Sequence, residues 1–204
     1  TIEKDQIDRE DCADLVSELE DEASIRCVQN LLSYLKLTQK RSFSHLQKAQ
    51  AYQSEFYLAM NYETKRNLEL TTTIRANQKH GSLFWFLDET QTAMGGRLLK
   101  QWLEKPLVLE GAIQKRHALV ETLNQHYFER TDFIETLKRV YDLERIVGKV
   151  SFGTANARDL LQLKQTLGQV PIFKSIVDSL DSEEWSALGE NLFDIPELYD
   201  LIDR

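Results

Sequence analysis

The sequence has only two cysteines, three prolines, eight glycines and two methionines in 204 residues. Two cysteines, Cys12 and Cys27, cannot build a disulfide framework, and they lack the paired spacing of a zinc site. No uninterrupted apolar run is long enough to cross a bilayer. The first residues, TIEKDQIDREDCADL, show no basic segment followed by an apolar core, so no secretory signal is expected and a reducing, cytoplasmic setting is the default. What is present is ordinary for a folded domain: 42% hydrophobic and 28% charged residues. That apolar share excludes disorder, and the length suffices for one substantial core or two modest ones.

The net charge of -8 is unevenly spread. Residues 1–24 carry ten carboxylates against Lys4 and Arg9, and residues 181–204 carry eight against Arg204. The ends are thus at -8 and -7, which leaves +7 for the middle. An acidic total therefore does not exclude a nucleic-acid neighbour, but the positive excess is thin for the length that carries it.

With so few breakers, apolar residues recur every three or four positions nearly throughout, the period of amphipathic helices. Val28, Leu31, Leu32 and Leu35 form one stripe, which should also bury Cys27; Ile113, Leu119, Val120 and Leu123 form another, and Phe133, Ile134, Leu137 and Val140 a third. Leu160, Leu161, Leu163 and Leu167 continue the pattern. Gly168 stands where a helix end favours a left-handed residue, and Pro171 and Pro196 suit the first turns of the helices that follow. The run EFYLAMNY, Glu55–Tyr62, is the one strand-like segment. We read it as a short extended link and place a boundary near residue 54. The expected class is all-α.

The stretch LDETQTAMGGRLLKQWLEKPL, Leu87–Leu107, has the densest signals. Ser82 is placed to cap a helix through Phe84 and Leu87, and Thr90 or Thr92 to cap the next. Met94, Leu98, Leu99, Trp102 and Leu103 then share a face, with Arg97, Lys100, Gln101 and Glu104 opposite. Pro106 ends the helix. Gly95 and Gly96 cost helix propensity, which points to a close neighbour and a packing joint. The alternative is an independent helix-turn-helix DNA-binding module at 82–105, with Arg97 and Lys100 on phosphates or bases. Two basic residues on an exposed face more often make a solvated surface.

Other chemistry finds little support. GKVSFGTA, Gly148–Ala155, has the glycine spacing of a phosphate loop, but Thr154 and Ala155 stand where that loop needs lysine and Ser/Thr. It reads as an interhelical loop, with Thr154 or Asn156 capping the next helix. His45, His80, His117 and His126 are scattered, no serine lies in a nucleophile elbow, and Glu183 with Glu184 sits in an acidic tail. No catalytic, cofactor-binding or metal residue is assigned to this chain.

The order of motifs is more telling than any one of them. LLSYLKLTQKRSFSHLQ, ETKRNLELT, SLFWFLDETQTAMGGRLLKQWLEKPL and VYDLERIVGKVSFGTANARDLLQLKQTL together resemble the MutS family of DNA mismatch repair proteins. Thr38 and Gln39, with His45 and Leu46 beyond, look like its mismatch-repair branch. The resemblance runs from about residue 29 to about 175. It implies that 1–54 is the C-terminal part of a connector domain and 55–204 the first segment of a core, or lever, domain ending near a clamp insertion. The positions that match the recurrent motifs are Asn67, Leu68, Glu69, Leu87, Asp88, Thr92, Met94, Gly95, Arg97, Leu98, Trp102, Pro106, Asp142, Leu143, Glu144, Arg145, Arg158 and Asp159. Structural roles are expected for them, with Glu144, Arg145, Arg158 and Asp159 as candidates for interhelical ion pairs.

The same resemblance implies a structural, signal-transmitting role. Mismatched double-stranded DNA would be contacted by other domains of a longer protein, which would also hold ATP and magnesium and would form a MutS homodimer that works with MutL. This chain would be one piece of that protein, without membrane attachment and without enzymatic activity of its own.

Overall fold

The computed structural model describes residues 15–39, 48–49 and 56–203. Cys12, His45, Leu46 and Glu55 lie outside the described residues. The chain divides into two compact units, Thr1–Gln53 and Ser54–Arg204.

In the first unit, helix α1 (Glu22–Gln39) is started by Asp21, whose Oδ2 accepts from the Ser24 amide at 2.9 Å. Of the expected stripe, Leu32 is buried but Leu31 is exposed. Cys27 is exposed as well, which corrects the expectation of a core thiol. Periodicity identifies the apolar face of a helix; whether something covers that face is a separate matter.

The second unit is helical, with one isolated bridge. Tyr57 pairs antiparallel with Leu107. Leu58 N–H donates to the Pro106 carbonyl at 2.8 Å and Val108 N–H to the Phe56 carbonyl at 3.1 Å. Pro106, which has no N–H, is used here only as an acceptor, so it ends a helix at no cost to the bridge. The extended link expected over 55–62 is thus one bridge long, because Asn61 already caps helix α2 (Tyr62–Asn67) through the Thr64 amide.

Helices α3 (Leu83–Leu87) and α4 (Ala93–Glu104) follow and touch one another. Helices α5 (Glu110–Gln125) and α6 (Tyr127–Leu137) form a hairpin. After α7 (Leu143–Ser151) and α8 (Ala157–Leu167) come α9 (Val170–Ser179), α10 (Glu183–Gly189) and α11 (Pro196–Asp203). Pro171 and Pro196 occupy first-turn positions, where a missing N–H leaves no helix bond unmade.

Two packings result. In the first, α9 contacts α6 and α10, and α10 contacts α5. Val177, Leu180 and Trp185 form its buried centre, with Leu119, Leu123 and Phe133 against it. Phe133 meets both Phe173 and Trp185 edge-on, at 5.1 and 5.5 Å between ring centres. In the second, α8 lies between α7 and α11. Tyr141, just before α7, donates its amide to the buried Thr166 hydroxyl on α8 at 3.0 Å.

Gly168 corrects a second expectation. Its φ is -65°, an ordinary right-handed value, so it does not end α8 by a left-handed turn. A Cβ there would sit 3.3 Å from the Tyr199 ring, so the glycine makes room for α11.

Candidate functional site

Working outward from the Leu87–Leu107 stretch, Ser82 is almost fully buried and caps α3: its hydroxyl donates to the Lys79 carbonyl at 2.7 Å and accepts from the Trp85 amide at 3.2 Å. The remaining free amides at the start of α3 are met by the turn after α2, where Leu83 N–H donates to the Glu69 carbonyl and Phe84 N–H to that of Leu70. Glu69 takes a left-handed φ of 47°, and its carboxylate accepts from the Ile74 amide at 2.7 Å. Asn67 closes α2 and Leu68 is its exposed C-cap residue. The Asn67-Leu68-Glu69 motif is therefore a turn that seats the next helix.

Asp88, at the end of α3 beyond Leu87, accepts from Lys79 Nζ at 2.5 Å and from the Thr90 hydroxyl at 2.6 Å. The lysine bond above all, then the threonine bond, holds its carboxyl below the ordinary 3.8. Thr92 caps α4, its hydroxyl accepting from the Gly95 amide at 3.0 Å. A Cβ on Gly95 would lie 3.1 Å from that hydroxyl and 3.4 Å from Thr90 Cβ; one on Gly96 would lie 3.3 Å from the Thr90 hydroxyl. The paired glycines thus let the start of α4 close onto the Thr90–Thr92 turn.

Arg97 projects from the same helix to the start of α7. Its Nη1 and Nη2 donate to the two oxygens of Asp142 at 2.8 and 2.7 Å, while Nε and Nη2 donate to Glu144 at 3.0 and 2.6 Å. This fork uses the planar guanidinium as no lysine could. Asp142 is also the N-cap of α7, accepting from the Arg145 amide at 3.3 Å. One carboxylate therefore starts a helix and ties it to another. The Arg97 bonds, with a smaller contribution from the Arg145 amide, hold the Asp142 carboxyl below its ordinary 3.8.

The next link sits one helix further on. Lys149 near the end of α7 donates to Asp159 at 2.6 Å, where only 8% of the aspartate side chain is exposed. Asp159 and the N-cap Asn156 exchange bonds in a capping box at the start of α8. The lysine bond first, then the Asn156 amide, depress its carboxyl as well. Lys164 on α8 pairs with Asp203 on α11 and lies 5.0 Å from the centre of the Tyr199 ring. Successive helices α4, α7, α8 and α11 are thereby joined by ion pairs, each tying a different pair of neighbours.

Of the four charged residues proposed for interhelical pairing, Glu144 and Asp159 make such pairs. Arg145 contributes field at Asp142 and Asp159, and the exposed Arg158 makes no ion pair among the described residues. Met94 is half-buried, Leu98 exposed, and Trp102 carries the Arg116 guanidinium 3.7 Å above its ring. Leu143 instead lines an open apolar groove of about 780 Å³ with Val147, Leu160, Leu163, Leu198 and Leu201. Gly148, expected within an interhelical loop, lies inside α7, where an added Cβ would meet nothing within 4 Å, so only Phe152–Asn156 is loop, turned by Gly153 at φ 67°. Lys149 is helical and engaged by Asp159, so GKVSFGTA is no phosphate cradle. The helix-turn-helix alternative loses its principal contact residue, because all three guanidinium nitrogens of Arg97 donate to carboxylates of its own chain.

These carboxylates make an acid-stability prediction with a definite sign. Asp88, Asp142 and Asp159 have folded values below 3.8, so their contribution is fully present above that pH and is lost as pH falls through 3.8 toward the folded values. The melting temperature followed down to about pH 2.5 should therefore drop below pH 3.8, and Asp142→Asn should flatten that drop. Parallel curves for the two proteins would show that Asp142 titrates alike in both states.

No helix among the described residues is long and apolar enough to cross a membrane. A family model described as MutS domain III matches residues 63–204. The chain is 54% identical over 173 residues to the DNA mismatch repair protein MutS of Bacillus licheniformis, a span of 85% of this chain and 20% of that protein. It is 47% identical over 190 residues to the MutS of Bacillus subtilis, with 93% and 22% covered, and 50% identical over 172 residues to that of Streptococcus mutans, with 84% and 20% covered. The chain spans about a fifth of the length of the curated relatives it matches. With its all-helical second unit and a domain-III match over most of its length, the chain belongs to the MutS family.

Proposed function

We propose that this chain is a structural, signal-transmitting part of a DNA mismatch repair protein. In that reading, mismatched double-stranded DNA is held by other regions of the longer protein. ATP and magnesium are bound in others, and the chain carries no catalytic group. The homodimeric MutS assembly and its partner MutL belong to the same proposal, as do a cytoplasmic setting and the division at residue 54 between connector and core.

The observation that carries it is the Arg97 fork. Transmission requires elements that move together and have alternative arrangements biased from either end. A helix is a suitable rod, since its own backbone bonds hold its length. Arg97 makes the start of α4 and the start of α7 share one charge network, and Lys149 with Asp159 and Lys164 with Asp203 extend the connection to α8 and α11. Displacing any of these helices alone would break charge-assisted bonds, so displacement is shared.

The test is Arg97→Met in the whole mismatch repair protein. Methionine keeps an apolar stem and removes both carboxylate bonds. The ratio of ATP hydrolysis rates with mismatched and matched DNA is expected to fall about 2- to 30-fold, the range of coupling changes that such network positions produce. A variant with the same ratio as the unaltered protein sinks the proposal.

A further inference from the structure

Most cations of the second unit that reach a neighbouring element are committed to carboxylates: Lys79 to Asp88, Arg97 to Asp142 and Glu144, Lys149 to Asp159, Lys164 to Asp203. Lys65 is different. It lines a cavity of about 320 Å³ formed by α2, the Thr71–Asn77 loop and the end of α4, and it makes no ion pair among the described residues. Arg66 lines the same cavity, and its one carboxylate partner, Glu63, is 3.9 Å away with both side chains largely in solvent. A pair of that length and exposure holds the guanidinium weakly.

The Thr71–Asn77 loop adds donors. Thr71 and Thr72 contribute hydroxyls with no hydrogen-bond partner among the described residues, whereas Thr73 spends its own on Gln78. One carboxylate, Glu104, reaches the cavity, and Lys100 stands 4.0 Å from it. The loop is held in place before any ligand arrives: Glu69 accepts from Ile74 N–H, and Thr73 N–H donates to the Gln78 carbonyl. An ammonium without an ion pair, a weakly held guanidinium and hydroxyl donors lining one space call for a ligand rich in acceptor oxygens and negative charge. A bare phosphate would fill only part of the space. The lining includes Tyr62, a residue 74% exposed whose ring offers a flat apolar face.

We propose that this cavity binds a nucleotide unit, its phosphate on Lys65, Arg66 and the Thr71–Thr72 hydroxyls and its base against Tyr62. The shared chemistry has two sources, a free nucleotide or a phosphodiester strand. The assignment does not rest on the signal-transmitting reading, which concerns Arg97, about two helical turns before Glu104 on α4.

The experiment titrates the chain at constant ionic strength, separately with inorganic phosphate, adenosine monophosphate and a short single-stranded oligonucleotide, following backbone amide resonances. Shifts are expected at Lys65, Arg66 and Thr71–Thr73, with the nucleotide bound about fivefold or more tighter than inorganic phosphate through stacking. Lys65→Gln should weaken nucleotide binding about fivefold to tenfold, since a charge-assisted donor is lost. Thr72→Val removes a hydroxyl without changing charge and should weaken it about threefold, which guards against a fold defect in the lysine variant. Tighter binding per phosphate by the oligonucleotide than by the mononucleotide identifies a strand as the source; the reverse identifies a free nucleotide. Equal affinity for inorganic phosphate and nucleotide overturns the assignment, as do unshifted amides at these positions or unchanged affinity in both variants. Arg97→Met should leave all three titrations unchanged.

Discussion

Trp185→Ala is expected to lower the unfolding free energy of the second unit by about 3–5 kcal/mol, the usual cost of emptying a buried tryptophan site. Trp185 lies at the meeting point of α5, α6, α9 and α10. Its neighbours Val177 and Leu180 are 2% and 1% exposed, so little solvent can enter to relax the void. The edge contact with Phe133 is lost, and so is the bond from Nε1 to the Leu119 carbonyl at 3.0 Å, which joins helices far apart in sequence. Trp185→Phe separates these contributions. It keeps a ring against Phe133 and removes the indole donor, so it should cost a smaller share, of which about 1 kcal/mol is the hydrogen bond. Urea unfolding followed by far-ultraviolet circular dichroism measures both. A loss below about 1 kcal/mol for the alanine variant would mean that the four helices are held mainly by contacts elsewhere.

The second large effect is expected at the start of α4. Gly95→Val should cost about 1–3 kcal/mol, the range for forcing atoms into a filled site. The added Cβ would stand 3.1 Å from the Thr92 hydroxyl, the group that caps the helix through the Gly95 amide itself. Losing that cap costs about 1 kcal/mol, and the small gain in helix propensity from replacing glycine does not offset it. Thr90 is the next obstacle, 3.4 Å away, and it is held by its bond to Asp88. The same unfolding measurement applies, with Gly148→Val as the comparison because a Cβ there meets nothing within 4 Å. Equal losses at the two glycines would show that backbone propensity, not the close turn, sets the cost.

Local features are legible in the sequence because they act within a few residues. Ser82, Thr92 and Asn156 cap the helices their side chains can reach, and Pro171 and Pro196 begin helices as their fixed φ favours. The close neighbour implied by Gly95 and Gly96 is the turn just before them. Partners remote in sequence are not legible. Nothing local to Arg97 distinguishes Asp142 and Glu144, more than forty positions away, from other carboxylates. Gly168 reads as a helix stop because its real partner, Tyr199, comes from another helix. Cys27 reads as buried because an apolar stripe is recorded in sequence and its covering is not. The Lys65 cavity is hidden for a related reason: three threonines in a row carry no motif until the Glu69 turn folds them toward α2.

The bridge between Tyr57 and Leu107 also bears on the order in which this unit assembles. Contacts such as those of α5 with α6 or α7 with α8 join adjacent segments and can form early, whereas the bridge must first close the whole loop that carries α2, α3 and α4. Two amide bonds repay little of that closure entropy, so the loop gains its hold from the helices inside it rather than from its clasp. The amides of Leu58 and Val108 accordingly report on the clasp alone: opening it leaves α4 still tied to α7 through Arg97, so the three enclosed helices stay in place until that fork breaks as well.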